Sequence, residues 1–151
     1  MYRFLFIILT TIIVFSEATA AKLEVTIENI TNNEGSIRFA LFSQDIADRF
    51  PNDDPKLSTP MLNHLGEKIN GVVVPAKEGA ISFTVFVPEG IYAAAAFHDQ
   101  NGDEELNYFF IIPVEPYGFS NNVRGTFGPA SFNDAKFSIP KDGTSLIFDI
   151  L

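Results

Sequence analysis

The chain contains no cysteine and no tryptophan, and it has only two histidines in 151 residues. Without cysteine there is no disulfide framework, no thiol nucleophile and no lipid-modified cysteine to tether the chain. Two histidines are too few for an ordinary zinc site. Basic residues are scarce as well: ten Lys and Arg stand against 19 Asp and Glu, a net charge of −9. Nucleic acids and anionic membrane surfaces both require basic patches, so neither is an expected partner.

What is present begins with an apolar run. Arg3 precedes residues 4–15, in which Thr10 and Thr11 are the polar members, and Ala18-Thr19-Ala20 supplies small residues before Ala21. A charged start, a short apolar stretch and a small-residue cleavage site make a secretory signal peptide over residues 1–20. The run is shorter than the roughly 20 apolar residues a membrane span needs. The expectation is therefore a mature chain, residues 21–151, without a membrane span, exported to a bacterial periplasm or the extracellular medium. Its length suits one domain with a real core.

Alternation dominates the rest. Leu23, Val25 and Ile27 alternate with charged and hydroxyl residues, Ile37, Phe39 and Leu41 with Ser36, Arg38 and Ala40, and then Ile81, Phe83, Val85 and Val87 with Ser82 and Thr84. Phe137 and Ile139, and finally Leu146, Phe148 and Ile150, continue the pattern. Period two with β-branched and aromatic residues marks half-buried strands. Turn residues separate them at Asn32-Asn33-Glu34-Gly35, Pro88-Glu89-Gly90 and Pro140-Lys141-Asp142-Gly143. Tyr92 and the four alanines after it read as a strand, because the stretch is too short for a helix and follows a tight turn. Small residues on both its faces allow a neighbour to approach closely. Residues 44–50 suggest one helical turn capped by the Ser43 hydroxyl, and residues 52–63 an exposed loop. The expected fold is all-β: a single antiparallel β-sandwich of seven or eight strands with long loops.

Chemistry concentrates after His98. Asp99, Asn101, Asp103, Glu105 and Asn107 place oxygen-bearing side chains at every second position. Calcium takes about six to eight oxygens, and short Asp and Asn side chains supply them without crowding. The first half matches D-x-N-x-D, but Glu104 stands where a calcium loop has glycine, and Phe110 where it has a bidentate glutamate. The candidate calcium ligands are Asp99, Asn101 and Asp103, with Glu115 completing the shell. The alternative is a plain turn around Asn101-Gly102.

His98 and Glu115 form a rival pair. A histidine beside Asp99 has a carboxylate to orient it, and with Glu115 it offers acid and base groups for hydrolysis of envelope glycans or peptides. The bland reading is a hydrogen-bonded structural histidine. No nucleophile accompanies the pair, since Ser120 lacks the second glycine of an elbow and His64 has no adjacent carboxylate. Phe109, Phe110, Tyr117, Phe119, Phe127 and Phe132 crowd the same loops. They either line a carbohydrate or small-ligand site or pin the loops by burial, and burial is the simpler expectation.

Several segments together carry a resemblance: Gly90-Ile91-Tyr92-Ala93, Phe97-His98-Asp99-x-Asn101, the stretch from Pro113 through Asn122, and Phe127-Gly128-Pro129-x-Ser131-Phe132-x-Asp134-Ala135. They resemble the exported bacterial family catalogued as domain of unknown function 2141. In that family the acidic loop has a glycine where Glu104 stands, a second asparagine in place of Asp103, and an aspartate in place of Asn107. The resemblance implies export and no established activity. Pro88-Glu89-Gly90-Ile91-Tyr92 also resembles transthyretin-like and carboxypeptidase-regulatory-like sandwiches. The sequence thus points to a non-catalytic binding or structural protein of the bacterial envelope, of immunoglobulin-like or transthyretin-like type. Its partner is an unidentified envelope ligand or protein, and calcium is the one cofactor suggested.

Overall fold

A computed structural model describes residues 19–52, 54–125 and 128–151. The signal-peptide expectation falls on residues 1–18, outside the described residues. Among the described residues no helix is long and apolar enough to cross a membrane.

The chain is all-β. Its strands are β1 (Ala21–Ile30), β2 (Ser36–Ser43), β3 (Pro60–Leu62), β4 (Lys68–Asn70), β5 (Val72–Pro75), β6 (Gly79–Val87), β7 (Gly90–Asp99), β8 (Tyr108–Phe109), β9 (Ile112–Pro113), β10 (Tyr117–Phe119), β11 (Phe137–Ile139) and β12 (Thr144–Asp149), with one turn of helix, α1 (Phe132–Ala135). One sheet runs β12-β1-β6-β3-β4, and a second runs β10-β7-β2-β5 with β11 added on β7; β8 and β9 make a separate hairpin. This differs from seven or eight antiparallel strands in a single sandwich. The strands are more numerous, and β1 pairs β12 in parallel. The expected loop at residues 52–63 also contains β3, whose Met61 is buried. The segments missed are two to four residues long, too short for alternation to register.

Alternation explains the core. Leu23, Val25 and Ile27 of β1, Val85 and Val87 of β6, and Leu146 and Phe148 of β12 meet Ile37, Phe39 and Leu41 of β2 and Tyr92, Ala94 and Ala96 of β7 in one buried cluster. The two five-stranded sheets therefore share a single apolar interior. Tyr92 is fixed there by its hydroxyl, which donates to the Pro88 carbonyl at 2.8 Å. Burial pushes its phenol pKa up, and Asp45 adds to the shift.

A second buried cluster lies on the other face of β2 and β7, where Phe42 and Ala93 pack with Phe119, Ala130, Phe132 and Ala135. Phe50 joins the Phe42, Phe119 and Phe132 rings edge to face, at centroid distances of 5.5, 5.5 and 6.1 Å. Residues 44–49 form a short helical turn, as expected, but the Ser43 side chain caps no backbone N–H. Its hydroxyl instead accepts a bond from Thr59 at 2.9 Å.

Candidate functional site

β7 positions everything that follows. Its alternation sends His98 inward and Asp99 outward, so the two side chains lie on opposite faces of the sheet. The expectation that Asp99 orients His98 fails for that reason. The buried His98 ring donates from Nε2 to the Glu34 carbonyl at 2.6 Å, and Nδ1 has no hydrogen-bond partner among the described residues. Gly35 makes that approach possible: a Cβ there would lie 1.9 Å from the Asp99 carbonyl oxygen, and its φ is +65°.

Asp99, fully buried, gathers the acidic loop. Its Oδ1 accepts the Gly102 N–H at 2.7 Å, while Oδ2 accepts the Glu104 N–H at 3.1 Å and Arg38 Nε at 2.7 Å. Arg38 also reaches Glu104 Oε1 at 3.3 Å. Glu104, which replaces glycine in the resembling pattern, sits at φ +73°. The glycine there therefore answers a backbone demand, which Glu104 meets at a cost in strain.

The rest of the loop closes on itself. Asp103 Oδ2 accepts amide protons from Asn107 at 2.8 Å and Asn101 at 2.9 Å, and Oδ1 accepts the Glu105 N–H at 3.1 Å. These bonds, the Asn107 bond foremost, with a smaller contribution from the Arg38 charge, hold the Asp103 carboxyl below the usual range. From the opposite side Glu115, buried, accepts the Gln100 N–H at 2.9 Å and the Asn107 N–H at 3.2 Å.

The proposed calcium ligands are thus brought into one corner, but their oxygens face N–H donors. Among the described residues no group of three His, Cys, Asp or Glu side chains is placed to hold a metal ion. The rival acid–base pair is divided: Glu115 sits in this corner, whereas His98 faces the other side of the sheet. Both are buried and bonded to backbone rather than open to a cleft. Ser120 is buried too; its hydroxyl accepts the Ala94 N–H at 2.9 Å and donates to the Ala135 carbonyl at 2.6 Å, clasping α1 to β7.

The aromatic residues divide. Phe119 and Phe132 are buried, as burial predicts, and Phe127 lies outside the described residues. Tyr117 is half-buried against Phe119, with the Arg124 guanidinium 5.5 Å from its ring centroid. Phe109 and Phe110 are the exception: they stand in solvent at 67% and 88% exposure. They belong to the β8–β9 hairpin, whose turn residues are Phe110 and Ile111.

Beneath that hairpin is an open cleft of about 710 Å³ on the outer face of the second sheet. Ala40 and Ala95, paired across β2 and β7, are its floor. Phe97, Tyr117 and Phe119 form one wall, Tyr108, Ile112 and Pro113 another, and Arg38 lies at its edge. The chemistry available here is apolar enclosure, with one guanidinium already engaged by Asp99 and Glu104.

A model of the bacterial family described as "Uncharacterized protein conserved in bacteria (DUF2141)" matches residues 25–147. The chain belongs to this family. No curated protein and no solved structure matches it. In this DUF2141 protein the residues that resemblance makes conspicuous, from Phe97 to Asn101 and from Pro113 to Asn122, build the loop corner and the clasp. Sequence reasoning missed Arg38, the alanine floor and the hairpin. The available signals were an arginine at an outward position of an apolar strand, and five consecutive apolar residues, 108–112, directly after a polar loop.

Proposed function

We propose that this DUF2141 protein is an exported, non-catalytic binding protein of the bacterial envelope, a two-sheet β-sandwich of immunoglobulin-like or transthyretin-like type. Its ligand is a small apolar or weakly amphiphilic molecule held in the cleft over Ala40 and Ala95. The observation that carries the reading is the cleft itself: about 710 Å³ lined largely by aliphatic and aromatic side chains. Ligand sites typically enclose about 300–1,000 Å³ with such a lining and few polar groups. The apolar run at residues 4–15 supports export. The burial of His98, Glu115 and Ser120, each bonded to backbone, supports a role without catalysis.

The acidic corner, on this reading, is a clasp that sets the base of the hairpin wall. Asp99 and Glu115 do with N–H groups what a cation would do with oxygens.

Ala95→Leu tests the proposal. The side chain lines the cleft on the face away from the core between the sheets, beside the Phe42 and Phe119 cluster. An uncharged naphthylamine dye should bind the unaltered chain, and Ala95→Leu should weaken binding at least tenfold with far-ultraviolet circular dichroism unchanged. Equal dye affinity in the two proteins would remove the cleft as the site.

A further inference from the structure

We infer that the β8–β9 hairpin is a tip that enters the hydrocarbon border of a zwitterionic lipid surface of no net charge. Phe110 and Ile111, at the turn, are 88% and 89% exposed, and Phe109 and Ile112 beside them 67% and 65%. A two-residue hairpin turn ordinarily takes Asn-Gly or a similar pair, because positive φ suits those residues. Here Phe110 adopts φ +58°. A large apolar side chain in strained backbone, almost wholly in water, does not favour the turn, and its ring partner Phe109 is itself exposed.

The tip is also held out rather than left to collapse. At its base the Val114 N–H donates to the Asn107 carbonyl at 2.9 Å. Asn107 is fixed in turn by Asp103, Asn101 and Glu115. The Phe109 and Phe110 rings meet edge to face at 4.9 Å, so they present one joint apolar surface.

Charge and area select the occupant. There is no Lys or Arg from residue 100 to 123, and Arg38, which reaches this corner, is already paired with Asp99 and Glu104, while Asp103 and Glu105 remain exposed. An anionic lipid surface would be repelled, and a second copy would bring two such acidic loops together. The four tip residues expose on the order of 500 Å², at the upper end of patches found on monomers. That falls short of the roughly 800 Å² per partner in a stable protein interface. An uncharged lipid border needs neither a basic patch nor a matching surface. Aromatic and aliphatic side chains at a tip are what such a border accepts. The inference stands independently of what the cleft holds, although a tip that is also a cleft wall gives an apolar ligand a route from bilayer to cleft.

The chain has no tryptophan, so Phe110→Trp in the full chain reports on the tip alone. With phosphatidylcholine vesicles its emission should shift to the blue and be quenched by brominated acyl chains. Adding Ile111→Asp should weaken partitioning at least tenfold, with far-ultraviolet circular dichroism unchanged. The apolar residues 4–15 are common to both proteins, so the difference belongs to the tip. Three results would overturn the inference: emission indifferent to brominated lipid, equal partitioning of the two proteins, or a concentration-dependent blue shift without lipid, which signals a second copy. Stronger binding to phosphatidylglycerol than to phosphatidylcholine would overturn it as well. Dye binding in lipid-free solution tests the cleft separately, so either reading can fail alone.

Discussion

Arg38 and Asp99 show how one residue pair decides the shape of a loop. Asp99 is wholly enclosed, and a carboxylate without water needs compensation from charge and hydrogen bonds. Arg38 supplies the charge at 2.7 Å, and two loop N–H groups supply the remainder. Removing only the arginine leaves a buried charge half-compensated. Arg38→Met should therefore cost about 3 kcal/mol in urea unfolding. The double variant Arg38→Met with Asp99→Asn should recover a good part of that loss, because the unpaired charge is gone. If the single variant unfolds at the parent midpoint, Asp99 is not held by Arg38 in solution.

The elements of this chain were legible in proportion to their length. β1, β2, β6 and β12 run for six to ten residues and alternate between the core and the outer face, so period two exposes them; β7, buried on both faces, is legible instead from its length and the tight turn before it. β3, β4, β8 and β9 are two or three residues long, and pairing rather than pattern creates them. The acidic loop was legible as a special place but not as a clasp. Sequence shows which oxygens are near in the chain, whereas Arg38 arrives from another strand, 61 residues away. The hairpin was illegible for the opposite reason: an apolar run predicts burial, and only the fold reveals exposure. Since N–H donors already occupy the clasp oxygens, neither added calcium nor a chelator should move the melting temperature by more than about 1 °C. Each 1 kcal/mol of stabilisation shifts it by several degrees in a domain of this size. A rise with millimolar calcium, abolished by Asp103→Ala, would restore the cation site.

At the scale of the whole molecule two electrostatic effects oppose each other on acidification. The net charge of −9 destabilises the compact state by self-repulsion at pH 7. That burden shrinks toward the isoelectric point, near 4.5. Against it stand carboxyls held below their ordinary range: Glu24 chiefly by the Lys22 bond, Asp45 by Ser43, and Asp103 by Asn107. A carboxyl with a lowered folded pKa contributes stability above its unfolded value, about 4, and loses it as pH falls through the folded one. All three groups are exposed, so their contributions are small individually and are lost only below about pH 4. Of these two effects, relief of repulsion therefore acts first, between pH 7 and about 5. Stability from urea titrations should peak near pH 5 rather than 7, and decline below pH 4. Salt discriminates the two limbs: about 0.15 M should stabilise the chain at pH 7 by screening and do much less near pH 5. A maximum at pH 7 that is indifferent to salt would mean the excess negative charge is too dispersed to matter, and that the paired carboxyls alone set the acid limb.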